Sequence, residues 1–230
     1  MRILICAFAF LISYWPVSSA AQSQPSPVLV ELFTAENCPA CPPADQYLGQ
    51  LAESQHVMAL ACHVDYFGRG SIGLGKKACT RRQEVYRKQL DKQKYYTPQM
   101  MINGTREEIG YKSDKIAAEI SKARGDRSRP IVIQHKASGV YDYRLPYMGS
   151  FRVPAQLWIA TYAKPYQSIE RGMRKNYYNV VQNFIPLGFW QGGASQKIVY
   201  PITDSRTAGL VIAAQDSLTG QILAVGEYRL

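Results

Sequence analysis

Acidic residues are in short supply: Asp and Glu number 17 against 27 Lys and Arg, a formal charge of +10 at neutral pH. That imbalance favours anionic partners such as membrane surfaces or acidic polymers, although a solvated basic face accounts for most such charge. Beyond the first 20 or so residues no apolar run is long enough to cross a bilayer. The chain shows no internal repeat and no low-complexity tract. Without its leader it has roughly 210 residues, enough for one large domain or two small ones.

The leader has the three parts of a secretory signal. Arg2 is the charged region, Ile3 to Tyr14 the apolar region, and Ser18-Ser19-Ala20-Ala21 supplies small residues for cleavage. Residues 1–21 are therefore expected to be removed, with 22–27 left as a disordered leader. The protein is expected to be periplasmic or secreted. Export argues against a nucleic-acid role despite the charge.

Of five cysteines, Cys6 leaves with the signal and Cys38, Cys41, Cys62 and Cys79 remain. An even number in an oxidising compartment favours disulfides. Cys38-Pro39-Ala40-Cys41 joins the apolar run Val28 to Phe33 to a helical stretch, Ala44 to Ala52. A CxxC at a strand-to-helix joint is the arrangement of thioredoxin-type redox chemistry. Unpaired backbone N–H groups and the helix dipole there stabilise a thiolate. The second thiol then closes an intramolecular disulfide and releases a mixed-disulfide partner.

Pro42 and Pro43 suit a helix's first turn, and Ala44, Tyr47, Leu48 and Leu51 make an apolar face. Val57 to Val64 reads as a buried parallel strand, completing a right-handed βαβ unit. Tyr66 to Lys77 is a glycine-rich loop. Thr80 to Gln93 reads as a basic helix with Val85, Tyr86 and Leu90 inward. Gln99 to Ile102 and Arg106 to Ile109 form a hairpin around Asn103-Gly104. Ser113 is placed to cap a helix over Asp114 to Arg124, with Ile116, Ile120 and Ala123 inward. A boundary falls at Arg127 to Pro130. Beyond it Ile131–Tyr143, Ala155–Tyr162, Lys197–Ile202, Leu210–Gln215 and Ile222–Tyr228 read as strands. The expected organisation is an α/β domain over 28–126 and a β-rich C-terminal subdomain over 127–230.

Competing chemistries have weaker support. Zinc usually takes four ligands, often from two short pairs; here Cys62, His63 and Cys79 offer no second CxxC. A purely structural Cys38–Cys41 disulfide closes too short a loop to stabilise much. Gly70 to Lys77 nearly spells a phosphate-binding loop, but Lys77 stands where a magnesium-binding Ser or Thr is needed. Gly68-x-Gly70-x-x-Gly73 lacks the context of a dinucleotide site. His63 and Asp65 read as a structural hydrogen-bonded pair.

Two resemblances sharpen the picture. Thr97-Pro98-Gln99-Met100-Met101-Ile102-Asn103-Gly104 resembles the segment of thioredoxins and disulfide-bond oxidoreductases in which a cis-proline faces the CxxC. The likeness implies that Thr97 and Pro98 shape the edge on which a substrate strand pairs. More narrowly, Val30 to Thr34, Cys38 to Asp45, His63-Val64-Asp65-Tyr66 and Tyr96 to Met100 resemble the domain-of-unknown-function 1223 family. The match is strong over 28–125 and weaker through Arg171-Gly172, Asn179-Val180-Val181 and Leu187-Gly188-x-Trp190. Met173-Arg174 departs from the Glu-Asn usual in that family. The resemblance implies exported, thioredoxin-like proteins with a β-rich C-terminal part.

Cys62 and Cys79 replace bulky apolar residues of the family pattern, which implies that they face each other. Their disulfide would close a loop of about 18 residues and contribute roughly 3 kcal/mol; a second redox pair relaying electrons to Cys38–Cys41 is the other use. Thioredoxins also carry a buried acid near the position of Glu31. Two readings of Glu31 stand: a buried general base for Cys41 with a raised pKa, or a solvated edge residue.

The expectation is a thioredoxin-like α/β fold with a β-rich C-terminal subdomain, exchanging disulfides with protein or peptide thiols. Cys38 attacks, Cys41 resolves, Thr97 and Pro98 bind substrate, and Glu31 shuttles a proton. No metal or organic cofactor is expected, since the electrons reside in the sulfurs. The alternatives are a copper(I) carrier using both thiolates with His63, or a redox-inactive interaction module.

Overall fold

The computed structural model describes residues 26–230 except 69, 71, 138, 171, 194–196 and 203, with backbone alone for 197–201. The signal-peptide expectation lies outside the described residues. The chain is a mixed α/β structure. Its first half runs β1 (Val28–Thr34), α1 (Pro42–Ala52), β2 (Val57–His63), α2 (Lys77–Gln89), β3 (Gln99–Ile102), β4 (Arg106–Ile109) and α3 (Ser113–Ala123). The strands form one sheet in the order β2-β1-β3-β4. β1 and β2 are parallel, in register from Val28 opposite Val57 to Thr34 opposite His63. β3 runs antiparallel to both β1 and β4.

Alternation along β1 sends its residues to two apolar cores. Val30 and Leu32 join Ala44, Leu48, Ile116 and Ile120 from α1 and α3. Leu29 and Phe33 join Cys62, Cys79, Tyr86 and residues from far along the chain, including Trp158 and Val211. Burial on both faces explains why β1 and β2 read as continuous apolar runs. β2 is an edge strand, but its edge is covered: Ala61 N–H donates to Asn179 O at 3.0 Å.

Local rules account for the ends of these elements. Pro42 and Pro43 occupy the first turn of α1, which Cys41 caps. Asn103 and Gly104 both have positive φ, 46° and 73°, as a tight hairpin turn requires. Asn103 also anchors the core: its Oδ1 accepts the Leu29 N–H at 2.9 Å and its amide donates to Ala123 O at 3.2 Å. Two expectations are corrected. α2 spans Lys77–Gln89 and buries Cys79, Gln83 and Tyr86, whereas Val85 is exposed. The buried stripe carries a glutamine, which an apolar count passes over. Ser113 is the first helical residue of α3, and Lys112 takes the cap position without a side-chain bond.

Past Arg127 the chain builds β5 (Arg129–Pro130), β6 (Val132–His135), β7 (Val140–Arg144), β8 (Ala155–Ala163), β9 (Tyr166–Glu170), β10 (Met173–Tyr177), β11 (Val181–Trp190), β12 (Lys197–Pro201), β13 (Thr207–Asp216) and β14 (Ile222–Arg229). They form a five-stranded sheet, β11-β8-β13-β14-β5, a three-stranded sheet, β12-β7-β6, and the β9–β10 hairpin. The run 131–143, expected as one strand, is two antiparallel strands. The larger sheet packs onto the first through the shared core around Phe33, Tyr86 and Trp158. The boundary at 126–127 is therefore a change of strand content along the chain, with one core spanning it. No helix among the described residues is long and apolar enough to cross a membrane.

Candidate functional site

Cys38 and Cys41 form a disulfide on the turn between β1 and α1. The turn closes with Cys38 N–H to Ala35 O at 3.2 Å, and Cys41 O accepts the N–H groups of Ala44 and Asp45. Both cysteines are buried, at 3% and 0% exposure; within the CxxC it is Pro39 and Ala40 that face solvent. Reduction would leave Cys41 at the cap of α1 and Cys38 on the turn before it, where the helix dipole favours negative charge.

The Thr97–Pro98 bond is cis. It is packed beside the start of α1: a Cβ added to Gly110 would lie 2.9 Å from the Cβ atoms of both Ala44 and Pro98. Gly110 N–H donates to Pro98 O at 2.9 Å, so the missing side chain lets the prolyl loop close against the helix. Alongside is a half-exposed aromatic group. Tyr66 lies 5.3 Å from Phe67 and 4.9 Å from Tyr95 between ring centroids. Gln83 ties this group to the prolyl loop, accepting from Tyr66 OH at 3.1 Å and donating to Tyr96 O at 2.8 Å.

Glu31 is buried, in agreement with one of its two readings, but its described partners do not include Cys41. The Arg82 guanidinium donates to both carboxylate oxygens and Tyr86 OH donates to Oε2. Such partners offset the hydration that a buried carboxylate loses. Burial opposes the charge on Arg82, and Glu31 and Tyr86 together more than offset it, so the Arg82 pKa is raised. The guanidinium also lies 4.2 Å from the Trp158 ring centroid and 4.6 Å from that of Phe184. The pair therefore fastens α2 to both sheets.

A second polar cluster lies on the other face of the first sheet, beside α1, and has no counterpart in the sequence expectations. Asp45, in the first turn of α1, has its pKa pushed up to about 7 by burial; the Thr34 hydroxyl and then Lys175 oppose that rise, and Glu170 adds to it. Its Oδ1 has no hydrogen-bond partner among the described residues. His63 is fully buried and its pKa falls to about 3, through burial and then Lys175, so its ring is neutral. Both its ring nitrogens lack hydrogen-bond partners among the described residues, and its ring lies 5.5 Å from that of Tyr177. The expected His63–Asp65 pair does not form: Asp65 instead accepts the Thr80 hydroxyl at 2.5 Å. Asp65 lies beyond the end of β2, where Thr80 of α2 also accepts its backbone N–H at 3.1 Å.

Glu36, two residues before Cys38, organises the glycine-rich loop. Its carboxylate accepts the N–H groups of Ile72 at 2.8 Å and Leu74 at 2.6 Å, and its backbone oxygen accepts Lys175 Nζ at 2.6 Å. A Cβ at Gly70 would collide with the Glu36 carboxyl. That close approach gives the glycine a structural use. Cys62 on β2 and Cys79 on α2 form the second disulfide, within the same core as the first. Among the described residues no group of three or more His, Cys, Asp or Glu side chains is placed to hold a metal ion.

Comparison with known proteins adds a family. The family described as protein of unknown function DUF1223 matches residues 29–215. The chain belongs to it. A crystal structure of a protein from Agrobacterium tumefaciens is similar, with TM-score 0.75 and 24% identity over 90% of this chain and 96% of that one. HBP35 of Porphyromonas gingivalis is similar with TM-score 0.65 and 14% identity, over 90% of this chain and 76% of that one. At these identities the likeness is one of fold. No curated protein matches the chain.

Proposed function

We propose that this DUF1223 protein is an exported thiol–disulfide oxidoreductase acting on protein or peptide thiols, and that its N-terminal half is thioredoxin-like. The observation that carries the reading is the Cys38–Cys41 disulfide at the start of α1, a helix whose Ala44 meets the Thr97–Pro98 loop across Gly110. Two disulfides fit an oxidising compartment.

Starting from the disulfide, a substrate thiolate attacks Cys38 Sγ, a mixed disulfide forms and Cys41 leaves as a thiolate. A second substrate thiolate then attacks the substrate sulfur of the mixed disulfide. Cys38 leaves as a thiolate, the substrate carries a new disulfide, and two electrons have passed to the cysteine pair. The reverse sequence reduces a substrate disulfide. Burial of Cys38 means that the incoming chain must part the turn at Pro39–Ala40, the one solvent-facing piece of the motif. The half-exposed Tyr66, Phe67 and Tyr95 next to the prolyl loop offer an apolar surface to that chain. Glu31, held by Arg82, serves to anchor α2 in this scheme and not to move the Cys41 proton.

The test is redox equilibration of the purified protein in glutathione buffers, following Cys38–Cys41 by thiol mapping separately from Cys62–Cys79. A reversible two-electron transition, abolished by Cys38→Ser, is expected, and its midpoint distinguishes an oxidant from a reductant. A pair that stays locked in one state from strongly oxidising to strongly reducing buffer would remove the basis of the proposal.

A further inference from the structure

A cavity of about 440 Å³ lies between α2 and the β11-β8-β13 face of the larger sheet, within the size range of small-molecule sites. It is separate from the Cys38–Cys41 turn and none of the chemistry above uses it. Its walls are mainly apolar: Val85 from α2, and Phe184, Pro186 and Phe189 from β11. The way β11 supplies them is informative. Phe184 and Pro186 share a face by alternation, which would send residue 189 to the opposite one. A register shift between Pro186 and Gly188, with Gly188 at φ 102°, inserts one extra residue. The bulge returns Phe189 to the cavity side although it remains 70% exposed. Bulges re-aim side chains in this way, often at sites of function.

The charges are equally uneven. Arg82, at the floor, is neutralised by Glu31 and stacked against Trp158 and Phe184. Asp216 is turned into its own loop, where its Oδ1 accepts the N–H groups of Leu218 at 2.9 Å and Thr219 at 2.8 Å. Arg81, by contrast, is exposed at the mouth and makes no ion pair or hydrogen bond among the described residues. An apolar slot with aromatic walls and one uncommitted guanidinium matches a flat aromatic acid. The ring fills the slot against Phe184 and Phe189, and the carboxylate meets Arg81, whose planar fork suits a carboxylate.

We infer that this cavity binds a small aromatic carboxylic acid, with Arg81 as the anion contact and Phe184, Pro186 and Phe189 as the ring slot. The probes are 2-naphthoate, the neutral 2-naphthylmethanol and the cationic 2-naphthylmethylammonium, each titrated into the purified protein by calorimetry. Naphthoate is expected to bind saturably at one site, about tenfold more tightly than the ammonium compound. Arg81→Ala should remove that preference while keeping the neutral probe's affinity. Phe189→Ser should weaken all three. Both positions are exposed, so neither change endangers the fold. Absence of saturable binding, equal affinity for anion and cation, or an anion preference that survives Arg81→Ala would each overturn the inference.

Discussion

Replacing Asp45 with asparagine should change how stability depends on pH. Asp45 is 8% exposed, and burial raises its carboxyl pKa from 3.8 to about 7. A native pKa above the unfolded one means that the native state holds the proton more tightly. Stability is then full below about pH 4 and declines as pH rises through 7, because ionising the group inside the fold costs more than ionising it in the unfolded chain. A tenfold change in proton affinity is worth about 1.36 kcal/mol, so the rise from 3.8 to about 7 amounts to about 4 kcal/mol. Deep burial leaves little solvent to screen this. Asparagine keeps the shape and cannot ionise. The difference in unfolding free energy between Asp45→Asn and the natural protein should therefore move by about 4 kcal/mol in the variant's favour between pH 4 and pH 8. Urea titrations at several pH values would show it as a midpoint gap changing by about 1.3–4 M for m-values of about 1–3 kcal/mol/M. Parallel pH profiles for the two proteins would refute the reasoning, and would mean that Thr34 and Lys175 together hold Asp45 ionised throughout.

Two further outcomes follow from the contacts. Cys62→Ala with Cys79→Ala should cost about 3 kcal/mol in urea unfolding, the value of the loop that the disulfide closes, and leave the Cys38–Cys41 midpoint in place; a moved midpoint would point to electron relay between the pairs. Arg82→Met should cost about 3–5 kcal/mol by stranding the buried Glu31 carboxylate. Adding Glu31→Leu should recover much of that loss, and a double variant as unstable as the single one would show that the aromatic stacking of Arg82 matters more than its charge.

Legibility from sequence followed the range of the forces involved. β1, β2, α1 and the β3–β4 turn were readable because their signals are local: apolar runs, prolines in a first turn, Asn103-Gly104 at positive φ. The CxxC and Thr97-Pro98 were readable because their chemistry is carried by adjacent residues. β9 and β10 do not place their apolar and aromatic residues, Tyr166, Ile169, Met173 and Tyr177, at every second position and so carry no strand signature. β11 is interrupted by Pro186 and Gly188, which read as breakers although they mark a bulge. Glu36 and Asp45 depend on Lys175 in a distant hairpin, 139 positions beyond Glu36. No window of sequence around Cys38 contains that partner. Asp45 left one faint trace, an acid in the first turn of a helix, which reads as a complement to the dipole and gives no sign of burial.

The core that both sheets share has a consequence for how the molecule is made. Leu29, Phe33, Leu60 and Met101 sit on a face closed by Trp158, Val211, Ala213 and Val225. A ribosome delivers the first set well before the second. At about 5–20 residues per second, the roughly 120 residues between Met101 and β14 take about 6–24 s to emerge. Until that interval ends the early half presents an apolar face whose cover is completed by the last strands, so a nascent chain of this protein is a natural client for whatever shields unfinished polypeptides along its route.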